Sequence, residues 1–259
     1  MHEGSQAPVS DRCVSCQQPL RSGAQFCSYC GFASTVRPAA WPASRRQATA
    51  FAPRGREIAR VAGLFGLLLG GSLASIIAAR HSSAPWSIVV FSCFDAVVVL
   101  IFVGIRRHDI APLLQPPVVT LRGVLQYVAL ALVFFGFMSA YFFAIEHAGI
   151  PLVRASADLV EAHWPLWAIF VLLSVLPAIF EELAFRGVIQ SSLEHVFDAR
   201  EAWIVQAALF SVLHLLPASF PSHFLMGLCF GYLRRRSRSL YAGMLLHASW
   251  NAFVVWGEL

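Results

Sequence analysis

Apolar residues in this chain fall in long unbroken runs and not in the short periodic stripes of a half-buried helix or strand. Runs of membrane-spanning length lie at about 58–79, 86–105, 121–146, 164–189, 201–216, 221–234 and 239–257. The pattern predicts an all-α polytopic membrane protein of about seven transmembrane helices spread over residues 56–259. Ahead of these runs stand two polar stretches, 1–31 and 32–55. The second is rich in Ala, Pro, Ser, Thr and Arg without apolar periodicity and reads as a flexible linker. The segment from Gly149 to Trp164 is too polar to span and reads equally as an interfacial helix or a connector.

Composition fits a chain whose main solvent is lipid. Of 259 residues 58% are hydrophobic and only 13% charged, about half the charged share of an average soluble domain. The start, MHEGSQAPVS, lacks a basic region followed by an apolar one, so the first run is expected to be a retained span. The net charge of +5 does not require nucleic acid, and none is expected as a partner, because the arginines collect at span ends beside anionic lipid. Arg54, Arg56 and Arg60 precede the first span, Arg106 and Arg107 follow the second, and Arg234, Arg235, Arg236 and Arg238 follow the sixth. Seven spans with a cytoplasmic N-terminus put all three clusters inside, against Arg80 and Arg154 outside. The expected location is the plasma membrane.

Two Cys-x-x-Cys pairs, Cys13/Cys16 and Cys27/Cys30, are separated by ten residues, with Gly31 after the second. Each pair can form a knuckle holding two corners of a zinc tetrahedron, and so small a module needs the metal to fold. Paired disulfides are the alternative, disfavoured in a reducing cytosol. Residues 1–31 are therefore expected to be a structural zinc ribbon, which resembles the ribbons at the N-termini of many bacterial membrane proteins. A cytosolic protein partner would suit it.

Charged groups near a bilayer centre cost roughly 2.5–3.5 kcal/mol each on insertion scales, so those inside the spans call for a function or a partner. The fourth span ends in LPAIFEELAFRG, with Glu181, Glu182 and Arg186; the fifth holds FSVLH, with Phe210 and His214; the seventh holds HASWN, with His247 and Asn251. Glu182 and Arg186 have the spacing and order of an intrahelical ion pair, which leaves Glu181 as a second acid free to act as a base. His247 and Asn251 share one helical face. Pro177 removes a backbone hydrogen bond one turn before Glu181. Such a set suits activating a water and stabilising an oxyanion, and equally suits a zinc ion. No His-Glu-x-x-His stretch is present. Asp95 is read as lining the cavity or bonding to a neighbouring helix, His223 as interfacial, and Cys93 and Cys229 as small buried residues.

The three stretches EELAFR, FSVLH and HASWN resemble the Glu-Glu-x-x-x-Arg, Phe-x-x-x-His and His-x-x-x-Asn motifs of the CPBP family, the CAAX proteases and bacteriocin-processing enzymes also called the Abi family. The likeness covers about residues 160–257. It implies an intramembrane endopeptidase, metalloprotease-like or glutamate-dependent, acting on membrane-associated, prenylated or small peptide substrates. By that resemblance Glu181 with His214 would activate water, Glu182 and Arg186 would support the site, and His247 with Asn251 would hold the oxyanion. A catalytic zinc stays open. The alternatives are a non-catalytic scaffold or bacteriocin-immunity factor, and a proton-relaying transporter.

Overall fold

The computed structural model describes Arg12, Gln18, Pro19 and residues 51–81, 86–152 and 154–259. The expected zinc ligands Cys13, Cys16, Cys27 and Cys30, and the expected linker up to residue 50, lie outside the described residues. The chain divides into two units, 1–53 and 54–259. In the first, Arg12 and Pro19 form an isolated antiparallel bridge.

The second unit is helical. Seven principal helices follow one another: α1 (Phe51–His81), α2 (Trp86–Ile105), α3 (Leu121–His147), α4 (Leu166–Leu193), α5 (Ala199–Leu213), α6 (Phe220–Ser237) and α7 (Tyr241–Glu258). Helix α1 begins inside the stretch read as linker. Short turns connect the others, among them Ala157–Glu161 in the Gly149–Trp164 segment and Pro217–Ser219 between α5 and α6. Local chemistry sets several ends. The Thr120 hydroxyl accepts from the Gly123 amide at the start of α3, Asp198 and Glu201 form a reciprocal capping box on α5, and α6 stops at Arg238 in the left-handed region (φ 55°).

Four stretches are long and apolar enough to cross a bilayer: Arg54–Ala79, Trp86–Ile105, Leu121–His147 and Leu166–Leu193. They coincide with the first four expected spans and make this a multi-pass membrane protein. The last three expected spans are helices of a different kind. Helix α5 has 15 residues, about 22 Å of rise against a hydrocarbon core of roughly 30 Å. Helix α6 carries His223 and Arg234–Arg236, and α7 carries His247, Asn251 and Glu258. Polar residues thus dilute the later helices, whereas each of the first four contains an 18-residue window apolar enough to span.

Small residues and aromatic rings join the helices. On α6, a Cβ added at Gly227 would stand 2.6 Å from Ala207 Cα, and one at Gly231 would stand 2.6 Å from Trp203. This small-x-x-x-small pair lets α5 and α6 approach closely, and Trp203 and Gln206 then donate across the contact to the Leu228 and Gly227 carbonyls, both at 2.8 Å. Helix α3 packs on α7 through Phe134 and Phe135 against Trp250, with ring centroids 5.7 and 5.4 Å apart. Helices α2 and α7 both lie against α4. Near the start of α1, buried Glu57 receives both its oxygens' bonds from Arg106 Nη1 at 2.8 and 2.9 Å and is also paired with Arg60. At the far end of α4, Glu194 pairs with Arg234 at 2.5 Å. Three arginines read from the sequence as lipid-facing charges are therefore ion-paired within the protein. Both cysteines were expected to be buried, but Cys93 is exposed on the apolar surface of α2 and Cys229 is half-buried.

Candidate active site

Helix α4 is wound unevenly around its functional residues. Two wider π-helical stretches, Val171–Val175 and Glu182–Ile189, flank an ordinary α segment, Leu176–Glu181, with Pro177 in its first turn. Proline cannot supply the amide for an α-type bond, and wider turns of this kind re-aim the side chains that follow. The result separates two adjacent acids. Glu182 is completely buried, whereas the Glu181 side chain is 28% exposed.

Glu182 Oε1 lies 2.9 Å from Arg186 Nη1, and both side chains are fully enclosed. An arginine sealed from water needs more than one carboxylate to offset its desolvation. Aromatic faces supply the rest: the guanidinium carbon sits 4.2 Å from the Phe210 ring centroid, 5.1 Å from Phe230 and 6.0 Å from Phe185. Phe210 is the hub of this arrangement. Its edge meets Phe185 at 5.1 Å and His214 at 4.9 Å.

His247, on α7, reaches both acids. Its Nε2 is 3.8 Å from Glu181 Oε2 and its Nδ1 is 3.5 Å from Glu182 Oε1, while Phe230 stacks on its face at 5.0 Å. One turn earlier, Gly243 makes the approach of α7 possible. A Cβ there would stand 2.6 Å from Glu182 Oε2.

His214 closes α5. Its Nδ1 lies 2.9 Å from the Phe210 carbonyl, and its ring stacks on that of His223, with centroids 3.7 Å apart. His223 was expected at the interface, but the Leu215–Ser219 turn brings the first turn of α6 back over the end of α5. Asn251 is half-buried one turn beyond His247. Among the described residues, the ion-pair and ring contacts that gather Glu181, Glu182, Arg186, Phe210, His214 and His247 do not include it. Asp95 of α2 is within electrostatic range of Glu181, and its Oδ1, buried against Gly71 of α1, has no hydrogen-bond partner among the described residues.

Among the described residues no group of three or more His, Cys, Asp or Glu is placed to hold a metal ion. Arg186 occupies Glu182, and the His214 and His223 rings lie against each other, inclined by 35°. Sequence reasoning missed Gly243 and His223, although each left a trace. Gly243 lies four residues before His247, and His223 follows Ser219 as His214 follows Phe210.

A multi-pass helical membrane protein thus encloses an acid, arginine and histidine cluster between α4, α5, α6 and α7. Residues 163–253, which run from the start of α4 into α7 and include all three motif stretches, match the family model of Rce1-like type II CAAX prenyl endopeptidases. No curated protein and no solved structure matches the chain.

Proposed function

We propose that the protein is an intramembrane endopeptidase that hydrolyses peptide bonds of membrane-associated, prenylated or small peptide substrates. The observation that carries this reading is the contrast between neighbours: Glu182 is sealed and paired with Arg186, whereas Glu181 beside it has a partly exposed side chain whose Oε2, buried and without a hydrogen-bond partner among the described residues, faces His247. In an apolar helix an unneutralised acid is costly unless it is used.

In the proposed reaction Glu181 takes a proton from water as the water oxygen bonds to the substrate's carbonyl carbon. Donors from His247 and Asn251 stabilise the oxyanion that forms. The C–N bond then breaks, and Glu181 returns the proton to the departing nitrogen. His214 holds the attacking water, and Arg186 keeps Glu182 ionised and still. In this reading α5, α6 and α7 complete a seven-helix domain in the membrane. Exposed Trp86, Trp167 and Trp256 mark one end, and exposed Arg107, Arg235 and Arg236 mark the other, consistent with a cytoplasmic N-terminus in a bacterial plasma membrane. Cys13, Cys16, Cys27 and Cys30 would hold a structural zinc in a ribbon that engages a cytosolic protein.

The test is cleavage of a fluorogenic farnesylated peptide ending in Cys-aliphatic-aliphatic-X by purified full-length protein in lipid nanodiscs. Wild-type protein is expected to cleave it and Glu181→Gln to lose activity. Equal rates from the two proteins would remove Glu181 from the chemistry and favour the scaffold or immunity reading.

A further inference from the structure

His223 lies outside all three motif stretches, yet it makes the closest ring contact within the site. Its centroid is 3.7 Å from that of His214, with the planes inclined by 35°. Each imidazole is tethered the same way. His214 Nδ1 lies 2.9 Å from the Phe210 carbonyl, and His223 Nδ1 lies 2.8 Å from the Ser219 carbonyl, four residues back in both cases. A carbonyl oxygen only accepts, so both Nδ1 atoms carry the hydrogen and both Nε2 atoms present a lone pair.

This arrangement limits what the His214 ring can do. The carbonyl holds one edge, Phe210 meets it at 4.9 Å in an edge-on contact, and His223 covers one face. Nε2 is then the ring atom left to act. Without His223 that single hydrogen bond alone would oppose rotation about the Cβ–Cγ bond, and breaking it would free both orientation and tautomer, because His214 closes α5 and the next residue, Leu215, already turns away in the left-handed region (φ 56°). His223 itself is well fixed. Its carbonyl partner Ser219 is also held by the Ser222 hydroxyl, which donates to the same oxygen at 2.8 Å.

We propose that His223 is a positioning residue of the active site, whose ring clamps His214 in one orientation and one tautomer so that Nε2 faces the reacting water. The role in water activation rests on the endopeptidase reading, whereas the clamp does not. Stacking is the feature required, so phenylalanine should serve in place of His223 and alanine should not.

The experiment uses full-length protein with 15N-labelled histidine in lipid nanodiscs, with the His214 ring signals assigned by their loss in His214→Gln. Wild type and His223→Phe should show two well-separated ring-nitrogen shifts of a single Nδ1–H tautomer, and His223→Ala should show them broadened and drawn together. In the farnesylated-peptide assay, His223→Ala should lower kcat by about tenfold or more with KM nearly unchanged, as for a misplaced catalytic group, and His223→Phe should restore most of it. Unchanged His214 shifts in His223→Ala would overturn the clamp, as would equal kcat losses for the Phe and Ala variants. Normal His214 shifts that respond to His223→Ala, with no cleavage dependent on Glu181, would retain the clamp and remove the endopeptidase reading.

Discussion

Gly243 and Glu182 lie so close that an added Cβ at Gly243 would stand 2.6 Å from Glu182 Oε2 and 3.3 Å from its carboxyl carbon. The glycine thus seats α7, and with it His247, against the sealed acid of α4. Gly243→Ala is expected to push the Glu182 carboxylate off Arg186 or α7 off α4, at a cost of roughly 1–3 kcal/mol for overpacking. A lowered melting transition in detergent and a loss of cleavage should appear together. An active, fully stable Gly243→Ala protein would show that this contact does not set the site.

The Glu182–Arg186 pair makes a different prediction, because both partners are fully buried at 2.9 Å. Removing one leaves an uncompensated charge, so Arg186→Met alone should destabilise by about 3–5 kcal/mol. The double variant Arg186→Met with Glu182→Gln should recover much of that stability but no activity. A double-mutant cycle on unfolding in mixed micelles measures the difference. Additive single effects would contradict the pairing.

At the start of α1, Arg106 Nη1 meets both oxygens of Glu57 across 49 residues of sequence, with both side chains nearly buried. Glu57→Gln should weaken the hold on α1, raising hydrogen exchange along Phe51–His81 by about an order of magnitude or more. Charged pairs lose 3–5 kcal/mol when one buried partner is removed. Cleavage by the folded protein should stay close to wild type. Unchanged exchange would mean that apolar packing alone seats α1.

Asp198 at the start of α5 has its carboxyl held below the usual range, first by the backbone amide of Glu201 and next by that of Arg200, at 2.9 and 2.8 Å. A carboxylate with a depressed folded pKa contributes stability above its unfolded pKa and loses it as pH falls through the folded value. Protection of the Arg200 and Glu201 amides, measured against their intrinsic exchange rates, should therefore be lost only in acid, below the ordinary carboxylate range. Asp198→Ala should show low protection of both amides at every pH.

Much of this was legible in the sequence, and where it failed the reason is physical. Unbroken apolar runs located α2 and α3 almost to the residue, because a span must satisfy its own backbone and tolerates few polar interruptions. The four-residue spacing placed Glu182 against Arg186 correctly. Sequence spacing singled out Glu181 as the unpaired acid but did not give the difference in burial between it and Glu182, since no local pattern announces the wider winding of α4 around Pro177. It also left His223 at the interface, because a turn between helices decides whether residues nine apart meet. The Glu57–Arg106 pair joins residues 49 apart, and no local pattern announces it. Hydropathy marks α5 as apolar, but at 15 residues it is too short for length and composition alone to identify it as a span.

The central claim is that Glu181 performs hydrolysis, and the most direct test needs no substrate chosen in advance. Peptide termini from the membrane and secreted fractions of cells expressing wild type would be compared with those from cells expressing Glu181→Gln at matched protein level. New termini present with wild type and absent with Glu181→Gln are the expected result and would name the substrate. Identical termini in both, with the Glu181→Gln protein folded and inserted, would contradict the claim.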